Sequence, residues 1–263
     1  MYKKIVLPFV LIIVVFSVPI FLLGINQSIQ FSDNKKISEV EISDSNSVNK
    51  TKKPGEYRIL MLGDSIGLGS GDQSGSDIGS YYKRMQTTED DEISIETVNL
   101  AVNGAKIKDL LNEIEKEQTK ALIKSSDLII ISIGGNDMKT ILDSSNLNLL
   151  IDYQELAQMY EETLKSIFNE ISKIKFEGQV AIIGLYNPFS EDISLEKIQV
   201  LLDWNHLTRS IIENYKKIAF IETYELFKYN KDKYLAIDEF HPNALGYKAI
   251  SRQLLLVIEG LEE

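Results

Sequence analysis

After residue 55 the chain settles into a regular alternation of hydrophobic and polar positions. Short runs rich in β-branched and aliphatic residues stand at Arg58 to Leu62, Ile93 to Leu100, Asp127 to Ile133, Val180 to Leu185 and Ile218 to Ile221, and longer amphipathic stretches separate them. Continuous apolar runs of this length suit strands buried on both faces, and the spacers have the length of crossover helices. The pattern predicts βαβ units around a parallel sheet, an α/β fold. The clearest helix carries Leu156, Met159, Tyr160, Leu164, Ile167, Phe168 and Ile171 at three- and four-residue spacing, one face packed on the sheet. A last helix is expected from about Asn243 to Ile258, with Tyr247, Ile250, Leu254 and Ile258 inward.

The first 55 residues follow different rules. Ile5 to Gly24 is almost wholly apolar, and about 20 helical residues span the hydrocarbon core of a bilayer. Lys3 and Lys4 precede it, so by the positive-inside rule the start of the chain stays in the cytoplasm and the rest lies outside. A cleaved signal peptide shares these features, yet Leu22-Leu23-Gly24-Ile25-Asn26 contains no small-x-small cleavage site. The expectation is a transmembrane signal-anchor over residues 1–25, a polar linker rich in Ser, Asn, Asp, Lys and Glu over 26–55, and a globular domain over 56–263.

Composition narrows the chemistry. With 39 acidic and 28 basic side chains the net charge is -11, which repels nucleic-acid backbones. The absence of cysteine excludes disulfides, thiolate metal sites and a cysteine nucleophile. Only His206 and His241 are present, too few for a multi-histidine metal centre. Neither a phosphate loop nor a Rossmann fingerprint is present: no lysine follows the glycines after Ser65, and Gly67, Gly69 and Gly71 alternate at the wrong spacing.

Four strand-end or loop motifs carry the functional signal. Gly63-Asp64-Ser65 follows the first strand, at the carboxyl edge where open sheets bind ligands. Taken alone, a serine there is more often a helix cap or turn residue. Asp238-Glu239-Phe240-His241-Pro242 precedes the last helix, with an interval that lets a carboxylate reach one ring nitrogen while the other faces a serine. An acyl-transfer site also needs oxyanion donors. Asn99-Leu100-Ala101-Val102-Asn103-Gly104-Ala105 follows the second strand, where Gly104 is expected to open a helix with its N–H outward, and Gly134-Gly135-Asn136-Asp137 follows the third. Either of these alone reads as a turn.

As an ordered set, G-D-S, N-G, G-x-N-D and D-x-x-H-P closely resemble the SGNH hydrolases, also called GDSL lipases, over roughly Tyr57 to Ile258. The leader and the loop from Gly67 to Asp72 look most like an extracytoplasmic subgroup from Gram-positive bacteria. The resemblance implies a flavodoxin-like three-layer α/β/α sandwich with five parallel strands in the order 2-1-3-4-5. It implies Ser65 as nucleophile, His241 as general base and acid, and Asp238 as the orienting carboxylate. Ser65, Gly104 and Asn136 form the implied oxyanion hole. No cofactor or metal is called for. The implied substrate is a carboxylic ester, such as a lipid, lysophospholipid or thioester acyl group. A cell-wall carbohydrate O-acetyl group and a non-catalytic binding module on the same fold are the alternatives. Asp64 and Asp137 are expected to hold loops and His206 to serve packing or surface; Trp204 and the loop from Tyr186 to Phe189 could line an acyl pocket, but an aromatic there is usually core or rim, and neither is given a role.

Overall fold

In the computed structural model the chain divides between Lys50 and Thr51 into two units, and every residue described below lies in the second. The structure describes residues 55–87, 94–142, 149–189 and 193–260. The expected signal-anchor and nearly all of the linker lie outside the described residues. Among the described residues, no helix is long and apolar enough to cross a membrane.

Five strands form one sheet: β1 (Glu56–Gly63), β2 (Ser94–Asn99), β3 (Leu128–Ser132), β4 (Gln179–Ile183) and β5 (Ile218–Ile221). Their order is β2-β1-β3-β4-β5 and every adjacent pair is parallel. This is the implied order. Around the sheet lie α1 (Ser65–Leu68), α2 (Ile78–Gln86), α3 (Ile107–Ile114), α4 (Glu117–Ser125), α5 (Gly135–Leu142), α6 (Leu149–Lys173), α7 (Leu195–Ile212), α8 (Tyr224–Lys228), α9 (Lys231–Tyr234) and α10 (Ala244–Glu259).

Strand side chains alternate between two cores, because successive Cβ atoms point to opposite faces. Leu60, Leu62, Ile129, Ile131 and Ile182 pack with Ile107, Leu110, Leu164, Phe168 and Trp204 on one face. Ile59, Met61, Leu128, Ile130 and Ile183 pack with Ile78, Tyr82, Tyr247, Ile250 and Leu254 on the other. Each fully buried aliphatic side chain contributes roughly 1.5–3 kcal/mol, so both helix layers are held by the same sheet. The middles of the central strands β1, β3 and β4 are apolar for that reason.

Two boundaries were not legible in the sequence. The helix of the 156–171 stripe starts seven residues earlier, because Leu149 and Tyr153 continue the same face at four-residue spacing and pack against the core. Gly104 does not open a helix: it sits in a turn at φ +80°, and α3 begins at Ile107. The Lys106 N–H donates to Asp109 Oδ2 at 2.9 Å, closing the helix end three residues beyond the glycine.

Candidate active site

The carboxyl edge of the sheet gathers the four motifs. Gly63 ends β1 at φ +119°, and a Cβ there would fall 1.8 Å from the Ser132 carbonyl oxygen. Only glycine lets β1 and β3 approach this closely as the chain turns upward. Asp64 then caps α1: its Oδ1 accepts from the Ile66 N–H at 3.0 Å and from Ser132 Oγ at 2.9 Å. Burial pushes the Asp64 carboxyl up to about 6, although its bonds to Ser132, Ile66 and Gly67 and the nearby His241 oppose the rise. Ser65 is thereby fixed as the first residue of a single helical turn, 5% exposed.

The last motif forms a closed loop. The Ala236 N–H donates to the His241 carbonyl at 2.8 Å, and the Glu239 N–H donates to the Ala236 carbonyl at 2.9 Å. Glu239 takes a left-handed conformation at φ +55°, which turns Asp238 back toward His241. Asp238 Oδ1 accepts from the N–H groups of Phe240 and His241, each at 3.0 Å, and Oδ2 meets His241 Nδ1 at 2.7 Å. Burial alone would raise the Asp238 carboxyl, but the bonds from the His241 ring and the two N–H groups outweigh it and hold it below the usual range. His241 Nε2 stands 2.9 Å from Ser65 Oγ. A carboxylate, an imidazole and a hydroxyl thus form one continuous hydrogen-bonded chain, the arrangement that activates a serine.

Two more strand ends complete the site. Asn136, in the first turn of α5, donates from Nδ2 to the Ala105 carbonyl at 3.0 Å, and Asp137 Oδ2 accepts from the Ile107 N–H at 3.1 Å. The loop of Gly104 is therefore bolted to the start of α5. One hydrogen of the Asn136 amide is used in this bond and the other remains for a ligand. Among the described residues, the N–H groups of Ser65 and Gly104 have no protein acceptor. Burial raises the Asp137 carboxyl to about 6, opposed by its Ile107 bond and Lys106.

Asn99, at the end of β2 and the head of the Asn99 to Ala105 motif, has no role assigned from the sequence. Its Nδ2 donates to the Gly67 carbonyl at 2.9 Å and to Asp77 Oδ2 at 2.5 Å, while its Oδ1 accepts from the Ala101 N–H at 2.9 Å. It joins the nucleophile turn to the Gly104 loop. An Asn next to a strand end was the available signal, and it is a common one. His206 is exposed on α7. Trp204 does not stand at the site: it is buried against Tyr160 at 4.0 Å between ring centroids, beneath Gly134. Pro188 and Phe189 do line a cleft beside Ser65.

That cleft is narrow, with about 40 Å³ of accessible space, bounded by Ile66, Met138, Leu142, Leu185, Phe189 and Phe240 among others. A second, wider cleft of about 320 Å³ lies on the Gly104 side, bounded by Asn103, Asp109, Asn112, Glu113 and Lys116 among others. Among the described residues, no group of three or more His, Asp or Glu side chains is placed to hold a metal ion.

Residues 59–254 match the family model described as GDSL-like Lipase/Acylhydrolase. The chain is 30% identical to the YpmR protein of Bacillus subtilis over 223 residues, covering 81% of this chain and 86% of that one. It is 26% identical to the spore germination lipase LipC of Bacillus licheniformis, covering 75% and 94% respectively. The crystal structure of the lipase Lip_vut3 from a goat rumen metagenome superposes with a TM-score of 0.64 at 25% identity, covering 76% of this chain and 96% of that one.

Proposed function

From the premise that this chain belongs to the GDSL-like lipase/acylhydrolase family, and so is a hydrolase of ester bonds, we propose how its residues divide the work. Ser65 Oγ attacks the ester carbonyl carbon while His241 Nε2 takes its proton. The carbonyl oxygen becomes an oxyanion held by the N–H groups of Ser65 and Gly104 and by Asn136 Nδ2. Collapse breaks the bond to the alcohol oxygen, which leaves with the proton from His241, and an acyl-enzyme remains on Ser65. Water then attacks the acyl carbon, His241 takes its proton, and a second collapse frees the acid and returns the proton to Ser65. Asp238 holds Nδ1–H throughout, so the imidazole keeps its tautomer and its positive charge is stabilised. No step calls for a metal or organic cofactor.

The observation that carries this reading is the unbroken chain from Asp238 Oδ2 through His241 to Ser65 Oγ, at 2.7 and 2.9 Å. A fluorophosphonate probe tests it. Labelling of the full chain at Ser65, lost in Ser65→Ala together with turnover, is expected. Turnover undiminished in the purified Ser65→Ala protein would sink the mechanism.

The apolar segment from Ile5 to Gly24, with Lys3 and Lys4 before it, supports a further part of the proposal: a single-pass anchor that holds the 56–263 hydrolase domain outside the cell membrane, or a secreted form where the leader is removed. Detection of the intact chain in the membrane fraction, with the domain open to external protease, is the expected result.

A further inference from the structure

We propose that the cleft bounded by Ile66, Met138, Leu142, Leu185, Phe189 and Phe240 is the acyl site, and that the substrate carries a medium or longer alkyl chain and not an acetyl group. The proposal rests on the esterase reading above.

Three of the cleft's borders adjoin the reacting groups. Ile66 follows Ser65, Gly135 precedes Asn136, and Phe240 precedes His241. An acyl carbon bonded to Ser65, with its oxygen on Asn136, therefore has the mouth of this cleft beside it. The walls come from different excursions, α5 after β3 and the 185–189 loop after β4, and they are almost wholly hydrocarbon. Lys139 is the charged residue among the described lining, and it is exposed with its ammonium 5.6 Å from the Phe240 ring centroid, at the rim.

The opposite cleft differs in kind. On the Gly104 side Asn103, Asp109, Asn112, Glu113 and Lys116 offer hydrogen bonds and charge, the chemistry that receives a hydroxylated alcohol moiety. An alkyl chain laid there would strand those polar groups without water, whereas the Phe240 side loses nothing by dehydration. An acetyl group ends after one methyl and would leave the apolar cleft unused. A longer chain gains from each methylene it places there.

The experiment measures kcat/KM of the full chain, and of two variants, for p-nitrophenyl acetate, butyrate, hexanoate and octanoate at monomeric concentrations. Gly135→Leu plugs the cleft: a Cβ at this position meets nothing closer than Asp64 Oδ2 at 3.8 Å and Leu185 Cδ2 at 4.0 Å. Phe189→Ala removes a half-buried wall and serves if Gly135→Leu does not fold. From acetate to hexanoate the unmodified protein is expected to gain on the order of 10²-fold, near fourfold per methylene. Gly135→Leu should lower the hexanoate-to-acetate ratio by about tenfold or more, and Phe189→Ala by a few-fold.

A protein that labels with fluorophosphonate at Ser65 yet prefers acetate overturns the acyl-site proposal and leaves the esterase reading standing. So does an unchanged ratio in both variants. Absence of labelling and of turnover on every ester overturns the esterase reading, and this proposal with it.

Discussion

Gly71 lies directly behind His241: a Cβ on Gly71 would come within 2.7 Å of the histidine's own Cβ and 2.6 Å of the Pro242 carbonyl oxygen. Its φ of +91° is itself a conformation that side chains disfavour. The Ser70 carbonyl next to it accepts the Tyr247 hydroxyl at 2.7 Å, so the loop cannot simply drift away. Gly71→Ala should push the 236–241 loop off the Ser65 hydroxyl. A displacement of about 1 Å at reacting groups can cost 10²-fold, and a loss of that order in kcat is expected, with KM much less affected. Steady-state kinetics beside the fluorophosphonate labelling rate will check it, since both depend on the Ser65 to His241 bond.

Asp238→Asn keeps an acceptor for the backbone N–H groups of Phe240 and His241 but replaces the anion at Nδ1. The ring then loses its fixed tautomer. A fall in kcat between about 10² and 10⁴-fold is expected, with the folded state retained, as read by kinetics and thermal unfolding together.

Removing the Asn136 amide takes away one oxyanion donor and the bond to the Ala105 carbonyl. Asn136→Ala should lower kcat by about 10²- to 10³-fold on every ester tested. Because that donor acts on the oxyanion and not on the acyl chain, the hexanoate-to-acetate ratio should stay near its original value. A ratio that collapses along with kcat would place Asn136 in chain binding instead.

Asp64 and Asp137 set a pH dependence of stability. Both carboxyls are raised to about 6 in the folded protein from an ordinary value of 3.8. Between those values the folded state binds more protons than the unfolded one, so stability falls as pH rises through the window and levels off above it. Going from pH 7 to pH 5 should therefore raise the unfolding free energy by about 1 kcal/mol for each group, before other titrations are added. Urea unfolding at the two pH values will show it. Asp137→Asn, which still accepts from the Ile107 N–H, should lose about half of the gain.

Much of the fold was legible because each strand is a local event. Continuous apolar runs such as Leu128 to Ile131 have no other comfortable place than the middle of a two-sided sheet. The residues proposed as triad and oxyanion hole could be picked out in the sequence because each sits in its own short motif at a strand end or before the last helix. What stayed hidden depends on assembly. Met138, Leu142, Leu185 and Phe189 each read as ordinary core or loop residues, and only the packing of α5 against the β4 excursion makes them one wall. Trp204 looked like a candidate for that wall for the same reason that it is absent from it, since the side chain with the most apolar surface is drawn deepest into the core. The start of α3 was misplaced because Gly104 resembles a helix opening, while the residues that close the end, Lys106 and Asp109, lie beyond it.

Ser65 and His241, the proposed nucleophile and base, are 176 residues apart in the chain. At about 5–20 residues per second of synthesis, roughly 10–35 s pass between making one and making the other. During that interval Ser65 has no partner for its proposed proton transfer, and the helix that follows His241 then packs on α2, where Ser251 Oγ donates to the Ile78 carbonyl at 2.8 Å. The Ser65 hydroxyl of the growing chain is therefore without its proposed activator until nearly the whole domain has been made.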